Sequence, residues 1–409
     1  MNQPRLPFLV YRALYRLRSL FYESLDRLGI LALRLLRETG LKKAAPPVRL
    51  ESIRNVLIIR TDAIGDIILT TPLVKAAKAC LPRANLTFLV AEESRELVEG
   101  VPGCDRIIGH RRGRGPARLL SFLNTARILR RERYDLVLAL PHGSLGVAVW
   151  ALVSGAAYRV GYRSRGFGWL FSHGLPDERG YRIKHEVENC LELLRALGLR
   201  PDESVKSLYL KVDAEAKERM VGYLDVMGIS LENEGIALIH PGSRTTWVRW
   251  LPERFAQVAD QMQAKWGVRI ILVGGPGEES ISGSVARCMK SPALDLTGRL
   301  SLVELAALAS VSRLFIGHST GPMHLAAAAN IPVVALFGPA SPTDHCERWR
   351  PYGPKGVVIF KDVCPEKCIP KYCANLECMA AIQVEDVLER VESILASKKV
   401  GFINRGAGL

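Results

Sequence analysis

His318-Ser-Thr-Gly-Pro-Met-His324 lies between the apolar runs Arg313–Ile316 and Val333–Phe337 and leads straight into the small-residue stretch Leu325–Ala329. Strand, Ser/Thr/Gly turn, helix and second strand is the pattern of a parallel β-α-β unit. The turn sits at a helix start, where unpaired N–H groups and hydroxyls suit an anion such as a phosphate or diphosphate. A capped turn without a ligand has the same composition, so the motif gains weight only from company. Two more polar loops supply it, Arg60–Asp66 and His240–Pro252, each following an apolar strand.

The same alternation runs through most of the chain. Apolar runs predict strands at Asn55–Arg60, Asn85–Ala91, Tyr134–Leu140, Tyr158–Tyr162, Gly235–His240 and Val268–Gly274, besides the two named above. Helical stretches separate them, among them Gly65–Leu81, Ala117–Arg131, His185–Leu197, Pro252–Trp266 and Ser301–Ala309. The expected class is α/β, with two Rossmann-like doubly wound parallel sheets facing a cleft. Ligands in such sheets sit at the carboxyl ends of the strands, where all three polar loops fall. The expected domains are residues 48–205 and 206–396. A basic extension and linker, 1–47, precedes them and a tail, 397–409, follows.

A chain of 409 residues exceeds one ordinary core. No apolar run of about 20 residues predicts a spanning helix. The net charge of +15 is uneven: residues 1–50 hold ten Lys/Arg against three Asp/Glu. Leucines recur there at helical spacing, with Arg5, Arg12, Arg16, Arg34 and Arg37 largely on another face. Such a basic amphipathic helix suits an anionic membrane surface; packing on its own protein is the competing reading. Arginines interrupt the apolar stretch, which argues against a signal peptide. No zinc-finger spacing, RNP aromatics or helix-turn-helix supports nucleic acid as a partner.

Asp66, beside Gly65 at the end of a strand, is the candidate general base; helix capping is the structural alternative, and Asp62 is a second carboxylate. In the loop from His240, Gly242 and Ser243 precede Arg244 and Arg249, cations suited to a diphosphate. Gly274 and Gly275 allow close backbone approach. Ser319, Thr320, Gly321 and His324 complete the candidate donor-binding set. Arg60, Asp62 and the basic residues Arg111, Arg112 and Arg114 are candidates for acceptor contact. Cys364, Cys368, Cys373 and Cys378 have spacing that can enclose a structural zinc or iron ion; ordinary thiols and disulfides are the alternatives.

Taken together, Val56–Asp66, His240-Pro-Gly-Ser-Arg244 with Trp250-Leu-Pro252, Val273-Gly-Gly-Pro276, Leu296-Thr-Gly298 and Ser319–His324 resemble the heptosyltransferase family of glycosyltransferases, family 9, over residues 53 to about 395. The resemblance implies the GT-B fold and inverting transfer of a sugar, typically heptose from ADP-heptose, to a lipopolysaccharide core or other surface glycan. It implies that Asp66 is the base and that the C-terminal domain holds the donor. Two positions depart from the family: Arg249 stands where lysine is usual, and Ser319 where the core enzymes commonly carry aspartate. No cofactor is implied for catalysis, and no Asp-x-Asp pair is present. The implied location is cytoplasmic, peripheral at the inner face of the membrane. A nucleotide-sugar epimerase or hydrolase of related fold, or a non-catalytic glycan-assembly module, are the alternatives.

Overall fold

The computed structural model describes residues 49–399 except 114, 141–142, 179–183, 232–233, 339–343, 364–372 and 374–375, together with Ser24, Leu28 and Leu31. The chain divides into two compact units. Unit 1 comprises Met1–Arg182 and Glu186–Lys206; unit 2 comprises Ile183–His185 and Ser207–Leu409.

Unit 1 holds a six-stranded sheet of order β3-β2-β1-β4-β5-β6. Its strands are β1 (Asn55–Arg60), β2 (Asn85–Ala91), β3 (Arg106–His110), β4 (Leu136–Ala139), β5 (Tyr158–Arg163) and β6 (His173–Pro176). Every pairing is parallel, with Val56 opposite both Leu86 and Leu136. Helices α1 (Ile64–Cys80), α2 (Pro116–Arg131), α3 (Leu145–Val153) and α4 (Glu186–Arg195) belong to this unit. Leu57, Ile59, Leu89, Val137 and Trp150 are among the residues of one of its apolar cores.

Unit 2 repeats the topology as β12-β11-β10-β7-β8-β9, again wholly parallel. The strands are β7 (Ile236–His240), β8 (Arg269–Leu272), β9 (Leu294–Asp295), β10 (Leu314–His318), β11 (Val333–Phe337) and β12 (Gly356–Phe360). Its helices include α5 (Ala214–Val226), α6 (Pro252–Trp266), α7 (Glu279–Cys288), α8 (Leu302–Val311), α9 (Gly321–Ala328) and α10 (Val384–Lys399). Local chemistry sets several ends. Pro252 opens α6, and Gly267 closes it in the left-handed conformation, φ 63°. Ser301 and Glu304 form a reciprocal capping box on α8.

In each sheet the strand order reverses beside the first strand, between β1 and β4 and between β7 and β10. That switch point opens a crevice at the carboxyl ends of the flanking strands. Arg60 ends β1, His240 ends β7 and His318 ends β10. No helix among the described residues is long and apolar enough to cross a membrane.

Candidate active site

In unit 1, the site is built around one buried cation. Arg60 is 2% exposed. Its Nε donates to Asp62 at 2.7 Å, its Nη1 to Glu186 at 3.1 Å, and its Nη2 to Asp66. Glu186, the first residue of α4, is wholly buried, and its other oxygen accepts from Asn189 at 3.3 Å. Cys190, one turn further along α4, lies 3.9 Å from Nη1 of Arg60 and 3.8 Å from the Thr70 hydroxyl.

Three carboxylates share one guanidinium, so the cluster is over-supplied with negative charge. Burial works against the Arg60 cation, but Asp62, Asp66 and Glu186 together outweigh it and hold the guanidinium charged. Burial pushes Asp66 up from 3.8 to about 6; Asp62 and Glu186 reinforce that rise and Arg60 opposes it. Burial likewise raises Asp62, against the attraction of Arg60.

Asp66 therefore does not cap its helix. Ala63 holds the N-cap position without any side-chain cap, and the Asp66 carboxylate turns to Arg60. Arg60, expected to meet an acceptor, has a buried guanidinium paired with three carboxylates. Arg112 is exposed and donates to the backbone carbonyls of Thr61 and Asp62, pinning the loop that carries the base. Arg111 is exposed, and Arg114 lies outside the described residues.

In unit 2, His240 is the buried hub. Its Nε2 lies 3.1 Å from Glu278 and its Nδ1 3.1 Å from the Thr320 hydroxyl. Glu278 also accepts from the Gly275 amide at 2.8 Å. Burial works against that carboxylate, but His240, the Gly275 amide and the charge of Arg249 together outweigh burial and hold it below the usual range. A Cβ on Gly242 would lie 2.4 Å from the Glu278 carboxylate, and one on Gly274 would lie 2.8 Å from Thr297. These glycines make room for a carboxylate of their own chain.

His318 ties the second loop to the sheet. The Trp250 amide donates to its Nε2 at 2.8 Å, so Nδ1 carries the proton, facing the Gly242 carbonyl at 3.3 Å. Full burial pushes this imidazole down to about 3 and keeps it neutral. Arg249 donates twice to the Ser243 carbonyl, at 3.0 and 2.6 Å, and so folds back over its own loop. Ser243 is buried, and Arg244 is exposed. The amides of Thr320 and Gly321, at the start of α9, have no hydrogen-bond partner among the described residues. Ser319 is half-buried beside them, and His324 is buried with its ring edge toward Trp349, centroids 6.4 Å apart.

The structure thus gathers His240, Gly242, Ser243, Arg249, Gly274, Gly275, Thr320 and Gly321 at the strand ends of unit 2. Sequence reasoning did not single out Glu186, Cys190 or Glu278. Each is remote in sequence from its partner, and only the sheet topology unites them. Of the cysteines, Cys373 is half-buried and Cys378 is buried, 3.3 Å from where a Cβ on Gly338 would stand. Cys364 and Cys368 lie outside the described residues. The described residues hold no cluster of three metal-ligating side chains.

Two six-stranded parallel sheets of one topology, each with polar residues gathered at its switch point, define the architecture of GT-B sugar transferases. Residues 122–379 match the family model glycosyltransferase family 9 (heptosyltransferase), and the chain belongs to that family. It is 27% identical over 349 residues to lipopolysaccharide heptosyltransferase 3 of Escherichia coli, covering 82% of this chain and 98% of that one. The family 9 glycosyl transferase of Veillonella parvula superposes with a TM-score of 0.74 at 22% identity, over 84% of this chain and 98% of that one. E. coli ADP-heptose lps heptosyltransferase II gives 0.68, also at 22%, over 84% and 99%. The protein is a glycosyltransferase enzyme.

Proposed function

We propose that this enzyme moves heptose from ADP-heptose to a lipopolysaccharide-core acceptor, with Asp66 as general base. The observation that carries the reading is the Arg60–Asp66 pair. Asp66, raised to about 6, is ionised at neutral pH yet basic enough to take a proton. Arg60 aims the carboxylate through a charge-assisted hydrogen bond.

As the acceptor hydroxyl attacks the anomeric carbon, its proton passes to Asp66 and the glycosidic C–O bond to the diphosphate breaks. Attack opposite the leaving group inverts the centre. Charge gathers on the leaving diphosphate, and Arg249, the Ser243 hydroxyl and the amides of Thr320 and Gly321 are the groups able to stabilise it. Glu278 and His240 hold the supporting loops. The donor identity rests on the relatives, whose names specify heptose transfer and ADP-heptose.

Asp66→Asn tests the base. Turnover should fall by about 10² or more with ADP affinity unchanged. Near-normal turnover in a folded variant would move the role to Asp62. A panel of nucleotide sugars tests the donor: ADP-heptose should raise the unfolding temperature most.

Residues 1–43 add a membrane reading to this function. Leu28 and Leu31 are helical and 61% and 52% exposed, as expected of an apolar stripe reserved for an acyl boundary. The enzyme then works at the cytoplasmic face of a membrane that presents its acceptor.

A further inference from the structure

Helix α2 carries an apolar flank that folding does not require. Every residue from Gly115 to Leu120 is exposed. Leu119, Leu120 and Leu123 are 61%, 68% and 41% exposed. Their i, i+1, i+4 spacing places them on one flank. The inward side holds the helix in place. Thr125, Ala126 and Leu129 are buried, and the Phe122 ring stacks on Trp150 with centroids 5.1 Å apart. Trp150 also donates from its indole to the Phe122 carbonyl at 3.2 Å. A Cβ on Gly146 would stand 3.4 Å from that same Phe122 ring, and the neighbouring Leu145 is exposed as well.

Charge surrounds these leucines with one sign. Residues 106–131 hold eight arginines and no Asp or Glu. Arg106 pairs with Glu132 at 2.6 Å, and Arg112 with Glu93 at 3.6 Å. Arg111, Arg118, Arg127 and Arg131 meet no carboxylate among the described residues. Leucines within a collar of cations are the composition of a surface that enters lipid headgroups.

We propose that α2 is a docking face for an anionic lipid bilayer, with Leu119, Leu120 and Leu123 entering the acyl boundary and Arg118 and Arg127 meeting headgroup phosphates. A second copy of this chain is a poor occupant, because it would set arginine against arginine. The location fits the reaction. Helix α2 follows the carboxyl end of β3, the edge of the parallel sheet at which Arg60 also ends β1. Arg112, just ahead of α2, is bonded to the loop that leads to Asp66. A bilayer held at α2 brings a lipid-linked acceptor to that edge. The proposal shares the membrane with the reading of residues 1–43 but rests on different residues.

The test is sedimentation of the full-length protein with vesicles of phosphatidylglycerol and phosphatidylethanolamine, and with phosphatidylcholine vesicles as the uncharged control. Leu119→Ser with Leu120→Ser, and separately Arg118→Gln with Arg127→Gln, should each weaken binding to the anionic vesicles about tenfold or more. Both pairs are exposed, so the unfolding temperature should hold, as should turnover on a water-soluble acceptor. Turnover on a vesicle-embedded acceptor should fall. A parallel variant, Leu28→Asp with Leu31→Asp, separates the two membrane readings. Loss of binding there alone, with both α2 variants still bound, overturns this proposal and leaves the terminal segment as the anchor. Loss in the α2 variants alone supports α2 and overturns the terminal reading. Unchanged vesicle binding accompanied by altered self-association would assign the face to a second copy and also overturn the proposal.

Discussion

Asp66 places catalysis and stability on opposite sides of one titration. Its carboxyl rises from 3.8 to about 6 on folding, chiefly through burial. The protonated form is therefore favoured in the folded chain, and the stability it contributes is complete below about 3.8 and lost as pH rises through about 6. A base runs the other way. Turnover should climb with pH, with a midpoint near 6, and flatten above it; a profile flat down to pH 4.5 would remove Asp66 from the role. Arg249 makes a second prediction at this scale. Among the described residues it donates only to a backbone carbonyl of its own loop, so its charge is still available to a diphosphate. Arg249→Ala should weaken ADP binding by roughly 1.5–3 kcal/mol, measured by calorimetry. Unchanged ADP affinity would exclude it as a phosphate contact. Asp66 and Arg249 were legible because each lies in the polar stretch that follows an apolar strand. Glu186 and Glu278 were not, since a buried acid on a helix or loop reads as a solvated charge until its partner is known.

Among the elements, what the sequence revealed depended on burial. The apolar runs named β1, β2, β4, β5, β7, β8, β10 and β11, the interior strands, which are covered on both faces and so need no polar residues. The unread strands, β3, β6, β9 and β12, are the four sheet edges. Arg106 and His110 bound β3, His173 and Pro176 bound β6, β9 has two residues, and β12 is mostly half-buried. Edge strands tolerate polar residues and proline, which erases the signal that apolar patterning supplies. Helix α7 escaped for a related reason: Gly283 and three serines lower its helical propensity, and packing supplies what propensity lacks. The cysteine segment remains a proposal at this scale. If Cys364, Cys368, Cys373 and Cys378 enclose zinc or iron, metal analysis should give about one ion per chain, with Cys373→Ser losing both ion and thermal stability. A metal-free preparation of equal stability and activity would leave them as thiols.

For the whole molecule, charge is the feature that the transfer reaction does not consume. Unit 2 needs cations at one diphosphate, yet the chain carries +15, and residues 1–50 contribute ten Lys/Arg against three Asp/Glu. Near an anionic surface each exposed cation contributes about 1 kcal/mol, and that attraction falls off within a Debye length. One amphipathic segment gives reversible attachment; a second signal makes attachment stable. On our reading residues 1–43 and helix α2 supply the two. The consequence is a strong dependence on salt. Full-length protein should co-sediment with anionic vesicles at about 0.05 M salt and detach by about 0.5 M, while its thermal stability changes little. Leu28→Asp with Leu31→Asp should shift the release to lower salt and spare turnover on a soluble acceptor, because neither leucine lies in the Arg60 cluster or the donor loops. Protein that ignores anionic vesicles at low salt would count against membrane attachment by either element, and the basic charge would then need an acidic protein partner.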